Sequence, residues 1–294
     1  MISIIIPTFN RASILEKTFP SYLNQKGVGE IIIVDDGSTD STKDLVKNFQ
    51  SDLRVNYISH AKKQGTAKAR LTGIELSRGE YILFGEDDLI FDDAYAETLL
   101  ENLKQNDADI CAGRIIYLKN NESFDEGVTR LNRVKTPVIN FNTLEGTFGV
   151  KLDRCTEVPF LHACYLVKKE KILDIDFDVN FLGNAYREET DAQISMLKKG
   201  CKIIFCPNAL CYHLPRSHKD VGGQWNRGEL YYLYWTMKNN VYFLDKHYDF
   251  LKKKYSLKPK IVMECFMLFH SIKRLFMDTL GKIRSIFFDQ MTNH

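Results

Sequence analysis

What this 294-residue chain lacks narrows its chemistry. Its seven cysteines are odd in number and form no Cys-x-x-Cys pair. That removes a redox dithiol and a fully paired disulfide framework, and sets the expectation of a reducing compartment. It has neither a Gly-x4-Gly-Lys-Ser/Thr loop nor a Gly-x-Gly-x-x-Gly run after its first apolar stretch. Phosphate-loop nucleotide binding and nicotinamide or flavin cofactors drop out with them. Net charge is only +2, so no nucleic-acid partner is expected. The longest apolar runs, such as 261–269, are too short for a bilayer span, and that one carries Glu264. The N-terminus enters an apolar run at once, with no basic leader, and the expectation is a cytoplasmic protein. Internal repeats and low-complexity tracts are missing too.

What is present is an alternation of strand and helix signals. Ser3–Ile6, Glu30–Val34, Arg54–Ile58 and Glu80–Phe84 read as strands, and the unbroken β-branched run in the second suits a strand buried on both faces. Between them lie helical patterns. Leu15, Phe19, Tyr22 and Leu23 share the first, weakened by Pro20. Leu45, Val46 and Phe49 share the second, with Asp40 as its cap. Thr66–Leu76 is the third. Such alternation predicts a parallel sheet with right-handed crossovers. Ile110–Leu118 is a further strand. Residues 120–149 read as a long loop or flap. A second α/β unit follows, with helix 188–199, Gly200 as its stop and strand 202–206. From Gly228 the pattern is helical and aromatic-rich. The expected division is a catalytic domain over 1–220, with halves 1–118 and 119–220, and a helical extension over 221–294.

Two acidic clusters follow two of the strands, Asp35-Asp36-Gly37-Ser38 and Glu86-Asp87-Asp88. Strand ends of an open α/β sheet face the crevice where such sheets bind ligands. Carboxylates packed that closely repel unless a cation or ligand hydroxyls neutralise them. Asp35 and Asp36 can accept from a base and a ribose. Gly65-Thr66 opens a helix carrying Lys68 and Arg70, which places backbone N–H groups and cations for a phosphate or base. Glu86 and Asp88, two apart in an extended chain, fall on one side as hard oxygen ligands for Mg or Mn. Taken singly, each cluster is also an ordinary turn or acidic helix start.

The order of the pieces decides between these readings. Pro7-Thr8-Phe9-Asn10-Arg11, then Val34-Asp35-Asp36-Gly37-Ser38, then Arg78-Gly79-Glu80-Tyr81 leading to Glu86-x-Asp88 resemble family 2 glycosyltransferases, most strongly before residue 95. The resemblance implies an α/β, Rossmann-like nucleotide-diphospho-sugar transferase (GT-A) fold, with a mainly parallel central sheet and a C-terminal helical extension. It implies an inverting, metal-assisted enzyme that moves a sugar from a nucleotide-diphosphate donor, UDP-linked, to a glycan or lipid-linked acceptor. Pro7, Thr8, Asn10, Arg11, Asp35, Asp36, Gly65, Lys68, Arg70, Glu86 and Asp87 would form the nucleotide site. Asp88 matches the family's second metal-motif aspartate, while Glu86 stands where the first is usual. Arg187-Glu188-Glu189-Thr190-Asp191 is similar to the stretch that supplies the catalytic base, with Glu189 in first place and Glu188 and Asp191 as alternates. His213 falls where a histidine often completes the metal shell, and Asp178, His162 and Trp225 would border the acceptor. His218 is a weaker metal candidate. Two other readings are a catalytically silent relative and a sugar-nucleotide pyrophosphorylase, though the latter needs a glycine-rich N-terminal loop.

The tail adds a charge asymmetry. From Lys252 to Arg284 nine Lys or Arg face two acids. Ile261, Val262, Cys265, Phe266, Phe269, Ile272, Leu275 and Phe276 follow helical spacing between Lys273, Arg274, Lys282 and Arg284. A basic amphipathic helix of this kind suits peripheral contact with the inner membrane face, a packed helix or a dimer contact.

Overall fold

The computed structural model describes residues 1–215, 228–273 and 275. His218, Trp225, Arg274, Phe276, Lys282 and Arg284 lie outside them. The elements are β1 (Ile2–Thr8), α1 (Ala12–Leu23), β2 (Val28–Asp35), α2 (Thr42–Lys47), β3 (Val55–Ser59), α3 (Thr66–Leu76), β4 (Tyr81–Phe84), β5 (Leu89–Phe91), α4 (Tyr95–Gln105), β6 (Ile110–Tyr117), α5 (Phe124–Asn132), β7 (Ile139–Asn140), β8 (Glu145–Gly146), β9 (Thr156–Glu157), β10 (Leu166–Lys168), α6 (Lys169–Ile172), α7 (Glu188–Lys198), β11 (Ile203–His213) and α8 (Glu229–Tyr255).

One sheet organises the first of two compact units, which runs over Met1–Ile139, Gly146–Asn180 and from Glu188 through β11. Its strand order is β3-β2-β1-β4-β10-β6-β11-β5, with β9 on β11. β3-β2-β1-β4 and β6-β11 are parallel, as the β-branched runs predict. β10 enters antiparallel between β4 and β6, an insertion that its three residues did not announce. The chain moves from β1 outward to β2 and β3, and α3 then carries it back to β4 on the other side of β1. That reversal makes the carboxyl end of β1 a topological switch point, where open sheets bind ligands. α3 packs close because residue 73 is glycine: a Cβ there would come within 2.3 Å of Ile5 Cγ2. β11 carries a register shift between Phe205 and Leu210, in the stretch that contains Pro207.

Two sequence expectations change. The 120–149 segment is not all loop, because α5 occupies part of it. A capping box starts this helix: Ser123 Oγ accepts from Glu126 N and the Glu126 carboxylate accepts from Ser123 N. Only Gly127 of α5 is buried, but Phe124, Val128 and Leu131 recur along it at helical spacing. Asp40 is not itself the cap of α2, a position that Ser41 holds. Its carboxylate accepts from Thr42 N at 3.0 Å and from Ala12 N at 3.0 Å, tying the starts of α2 and α1 together.

The second unit comprises Asn140–Glu145, Phe181–Arg187 and the helices from Glu229 onward. Arg187 anchors it. The guanidinium is buried, donates to Leu144 O and Thr143 O, and bonds Asn240 Oδ1 of α8 at 2.9 Å. All seven cysteines are free thiols. No helix among the described residues is long and apolar enough to cross a membrane.

His162 is a core residue. Its ring lies edge-on to Phe148, one nitrogen bonds Gly113 O at 3.0 Å, and the other accepts from Cys164 N. That pattern fits a neutral ring, and burial pushes its pKa down to about 4. The unfolded chain, with an ordinary histidine, binds a proton below about pH 6.5 that the fold refuses. Stability therefore falls as pH drops from about 6.5 toward 4, by at most about 3 kcal/mol from this group. Unfolding curves from pH 7.5 to 4.5 should show a flatter slope for His162→Gln than for the parent chain. Equal slopes would contradict this.

Candidate active site

Thr8, at the carboxyl end of β1, connects the two acidic clusters. Its carbonyl accepts from Asp36 N at 2.9 Å, and its buried hydroxyl donates to Asp87 Oδ2 at 2.9 Å. The register explains this: β1 lies between β2 and β4, so Thr8 pairs with Asp35 while Ile5 pairs with Phe84. Pro7 precedes it within β1, opposite Val34. Asn10, at φ +52, holds the neighbouring loop, with its Oδ1 accepting from Thr39 N at 2.7 Å and its N–H donating to Ser38 Oγ.

Arg11 clamps the second cluster. Its Nε lies 3.1 Å from Asp87 Oδ1 and its Nη2 2.7 Å from Asp88 Oδ2. Tyr22 fixes the backbone of the same turn, donating its hydroxyl to Glu86 O and accepting from Glu86 N. Burial pushes the Glu86 carboxyl up to about 7, Asp88 adds to this, and Arg70 opposes it. Burial likewise raises Asp87 to about 7, against the pull of Arg11. The crevice thus holds more carboxylate than its own cations stabilise, and favours a further cation or donor-rich ligand.

Arg70 joins this turn to α7. Its Nη1 is 3.0 Å from Glu188 Oε1, and its Nη2 is 4.0 Å from Glu86 Oε1. Arg70 and Glu188 are both buried. Burial works against the Arg70 charge, but Glu188, Glu189 and Glu86 outweigh it and raise its pKa. Burial raises the Glu188 pKa despite Arg70. The neighbouring Arg70 Nε and Tyr165 hydroxyl are buried with no hydrogen-bond partner among the described residues. Of the three acids that begin α7, Glu188 is taken by Arg70 and Asp191 is buried, whereas Glu189 is half-buried. Arg187, just before them, belongs to the second unit.

Asp36 organises the chain around the start of α3. Its Oδ1 bonds His60 Nδ1 at 2.8 Å and accepts from Gln64 N, while Oδ2 accepts from Gly65 N at 2.7 Å. The backbone N–H groups expected to await a phosphate at Gly65 are therefore occupied by Asp36, which caps the α3 start electrostatically. Gly65 itself sits at φ +97, where only glycine is unstrained. Among the described residues, three of the four lone pairs of Asp36 are engaged. Asp35 is buried, accepting from Tyr57 and Ser38 N. Lys68 is half-buried in the first turn of α3. His60 had no visible partner in the sequence, because its contacts come from chain 24 and 12 residues away; its Nε2 meets Thr72 Oγ1 at 3.1 Å.

Asp88 and His213 face each other, with Asp88 Oδ1 3.6 Å from His213 Nε2. The neighbouring strands explain it: β11 pairs antiparallel with β5, so His213 lies opposite Leu89. His213 Nδ1 is 2.7 Å from Leu214 O, so that nitrogen carries the proton and leaves Nε2 free to ligate. No cluster of three or more His, Cys, Asp or Glu assembles a complete metal cage among the described residues. A pair of protein ligands nonetheless fits Mg or Mn, which takes one or two side chains together with phosphate oxygens.

The model of glycosyl transferase family 2 matches residues 3–174, more than half of the chain. A relative from Campylobacter jejuni, named GalNAc(5)-diNAcBac-PP-undecaprenol beta-1,3-glucosyltransferase, is 34% identical over 125 residues, 42% of this chain and 40% of its own. Matches to these curated relatives span only 15% to 41% of those proteins' lengths. Among solved structures, Staphylococcus aureus TarS 1-349 in complex with UDP-GlcNAc superposes with a TM-score of 0.59 at 15% identity, over 94% of this chain and 72% of that one. The mannosyltransferase PcManGT of Pyrobaculum calidifontis, in complex with GDP-Man and Mn2+, gives 0.60 at 14% identity, over 92% and 68%. These likenesses carry the GT-A fold.

Removing the Arg70 charge leaves Glu188 buried without a partner, which costs about 3–5 kcal/mol. Urea unfolding of Arg70→Met should show a loss of that size. The double variant Arg70→Met/Glu188→Gln should recover much of it. Independent, additive losses would contradict the pairing.

Proposed function

The chain belongs to glycosyl transferase family 2, and from that premise we propose that it moves a sugar from a UDP-linked donor to a hydroxyl of a glycan carried on lipid, with inversion at the anomeric carbon. The observation that carries this reading is Glu189 on α7, half-buried and next to Glu188, which Arg70 ties to the Glu86-Asp87-Asp88 turn. Of the three acids that begin α7 it is the one not buried, which suits it to meet an acceptor hydroxyl as a base.

Glu189 takes the proton of the acceptor hydroxyl as that oxygen attacks the anomeric carbon. The bond to the donor diphosphate breaks on the opposite face, and the nucleoside diphosphate leaves. Asp88 and His213 would hold Mn or Mg. Bound there, the cation would neutralise charge on the departing diphosphate. Arg11 fixes the Asp88 carboxylate, and Thr8 keeps Asp87 in register with the base end of the site. The base end is formed by Asp36, with Thr8 beside it. A UDP donor is supported by the UDP-GlcNAc complex of TarS, and a metal by the Mn2+ in PcManGT. The name of the C. jejuni relative supports a lipid-linked acceptor.

Glu189→Gln should lower the rate of transfer by about a hundredfold or more, as loss of a general base does, while calorimetry finds donor affinity nearly unchanged. Asp88→Asn should remove the dependence of donor binding on Mn. Near-normal transfer by the first variant, or intact Mn dependence in the second, would overturn these assignments.

A further inference from the structure

Among its described residues, the second compact unit carries an apolar face that is left exposed. After α8 the chain turns at Ser256, in the left-handed region at φ +52, and is helical again from 260 to 273. Lys260 pairs with Asp245 of α8, and Met263 and Met267 are buried, which fixes the inward side of this helix. At 100° per residue, Ile261, Val262, Phe266, Leu268, Phe269 and Ile272 fall on one arc of the remaining surface. Ile261 is 66% exposed and Phe269 67%. Together with Cys265, four of them line a shallow apolar groove.

The rim of this face is basic. Between 252 and 273 stand six lysines and a single acid, Glu264, with Lys260 paired to Asp245 and near Asp249 of α8. Lys252, Lys253, Lys254, Lys258 and Lys273 are exposed. Lys258 Nζ lies 4.6 Å from the centre of the Phe266 ring, so charge borders the apolar surface directly. This combination selects among occupants. A second copy joined through the same patch would bring two lysine rims together, and like charges in an isologous contact repel. An anionic lipid surface accepts the apolar residues into its headgroup layer and attracts the rim.

We infer that the 260–273 helix rests flat on an anionic membrane surface. No described helix is long and apolar enough to cross a bilayer, so the contact is parallel to the surface. It rests on the second unit alone and stands whether or not the chain transfers sugar.

The test is co-sedimentation of the full chain with phosphatidylcholine vesicles, with and without about one third phosphatidylglycerol. Binding is expected only to the anionic vesicles. It should weaken about tenfold or more in Ile261→Glu/Phe269→Glu, and comparably in Lys252→Gln/Lys253→Gln/Lys254→Gln. Both positions of the first variant are exposed, and an unchanged thermal melt establishes that it folds. Failure of the parent chain to bind anionic vesicles would overturn the inference, as would equal binding by the glutamate variant. Self-association that the glutamate variant abolishes, without vesicle binding, would also overturn it and assign the face to a second copy.

Discussion

A buried guanidinium holds this site together. Arg70 sits on the inner face of α3, 3.0 Å from Glu188 at the start of α7 and 4.0 Å from Glu86 after β4. Without it Glu188, which is buried, would face the desolvation cost of its charge alone. Thr8 performs the neutral counterpart of that task at the switch point of the sheet, joining Asp36 to Asp87 through one carbonyl and one hydroxyl. Burial raises the Glu86 and Asp87 carboxyls, with neighbouring acids adding to it, so a cation or donor nearby would favour their charged forms.

Each acid is separated from the others by what it touches. Asp35 is closed inside the fold, Asp36 organises the α3 start with His60, Asp87 is locked by Thr8 and Arg11, and Glu188 by Arg70. Asp88 and Glu189 are half-buried, the first between His213 and Arg11 and the second in the first turn of α7. Similar residue types in one crevice thus differ through burial and partners.

The parallel half of the sheet was legible because Ile4–Ile6 and Ile31–Val34 can only be strands buried on both faces, and Gly200 marks the end of α7 by its positive φ. The inward orientation of Arg70 was legible in principle, since it shares the helical face of Ala67 and Ile74. β10 was not, because three residues between β4 and β6 carry no period long enough to see. The Asp36–His60 contact was not either, because nothing local to His60 indicates a partner 24 residues away. α5 left two readable signs, Ser123 followed three residues later by Glu126 and the helical spacing of Phe124, Val128 and Leu131.

The central claim is that the strand ends after β1, β2 and β4 and the start of α7 serve one ligand. A crystal structure with UDP and Mn2+ tests it most directly. The account predicts the diphosphate and cation at Asp88 and His213, with the base within hydrogen-bond reach of Asp36 and Thr8. Nucleotide bound away from all four residues would contradict it.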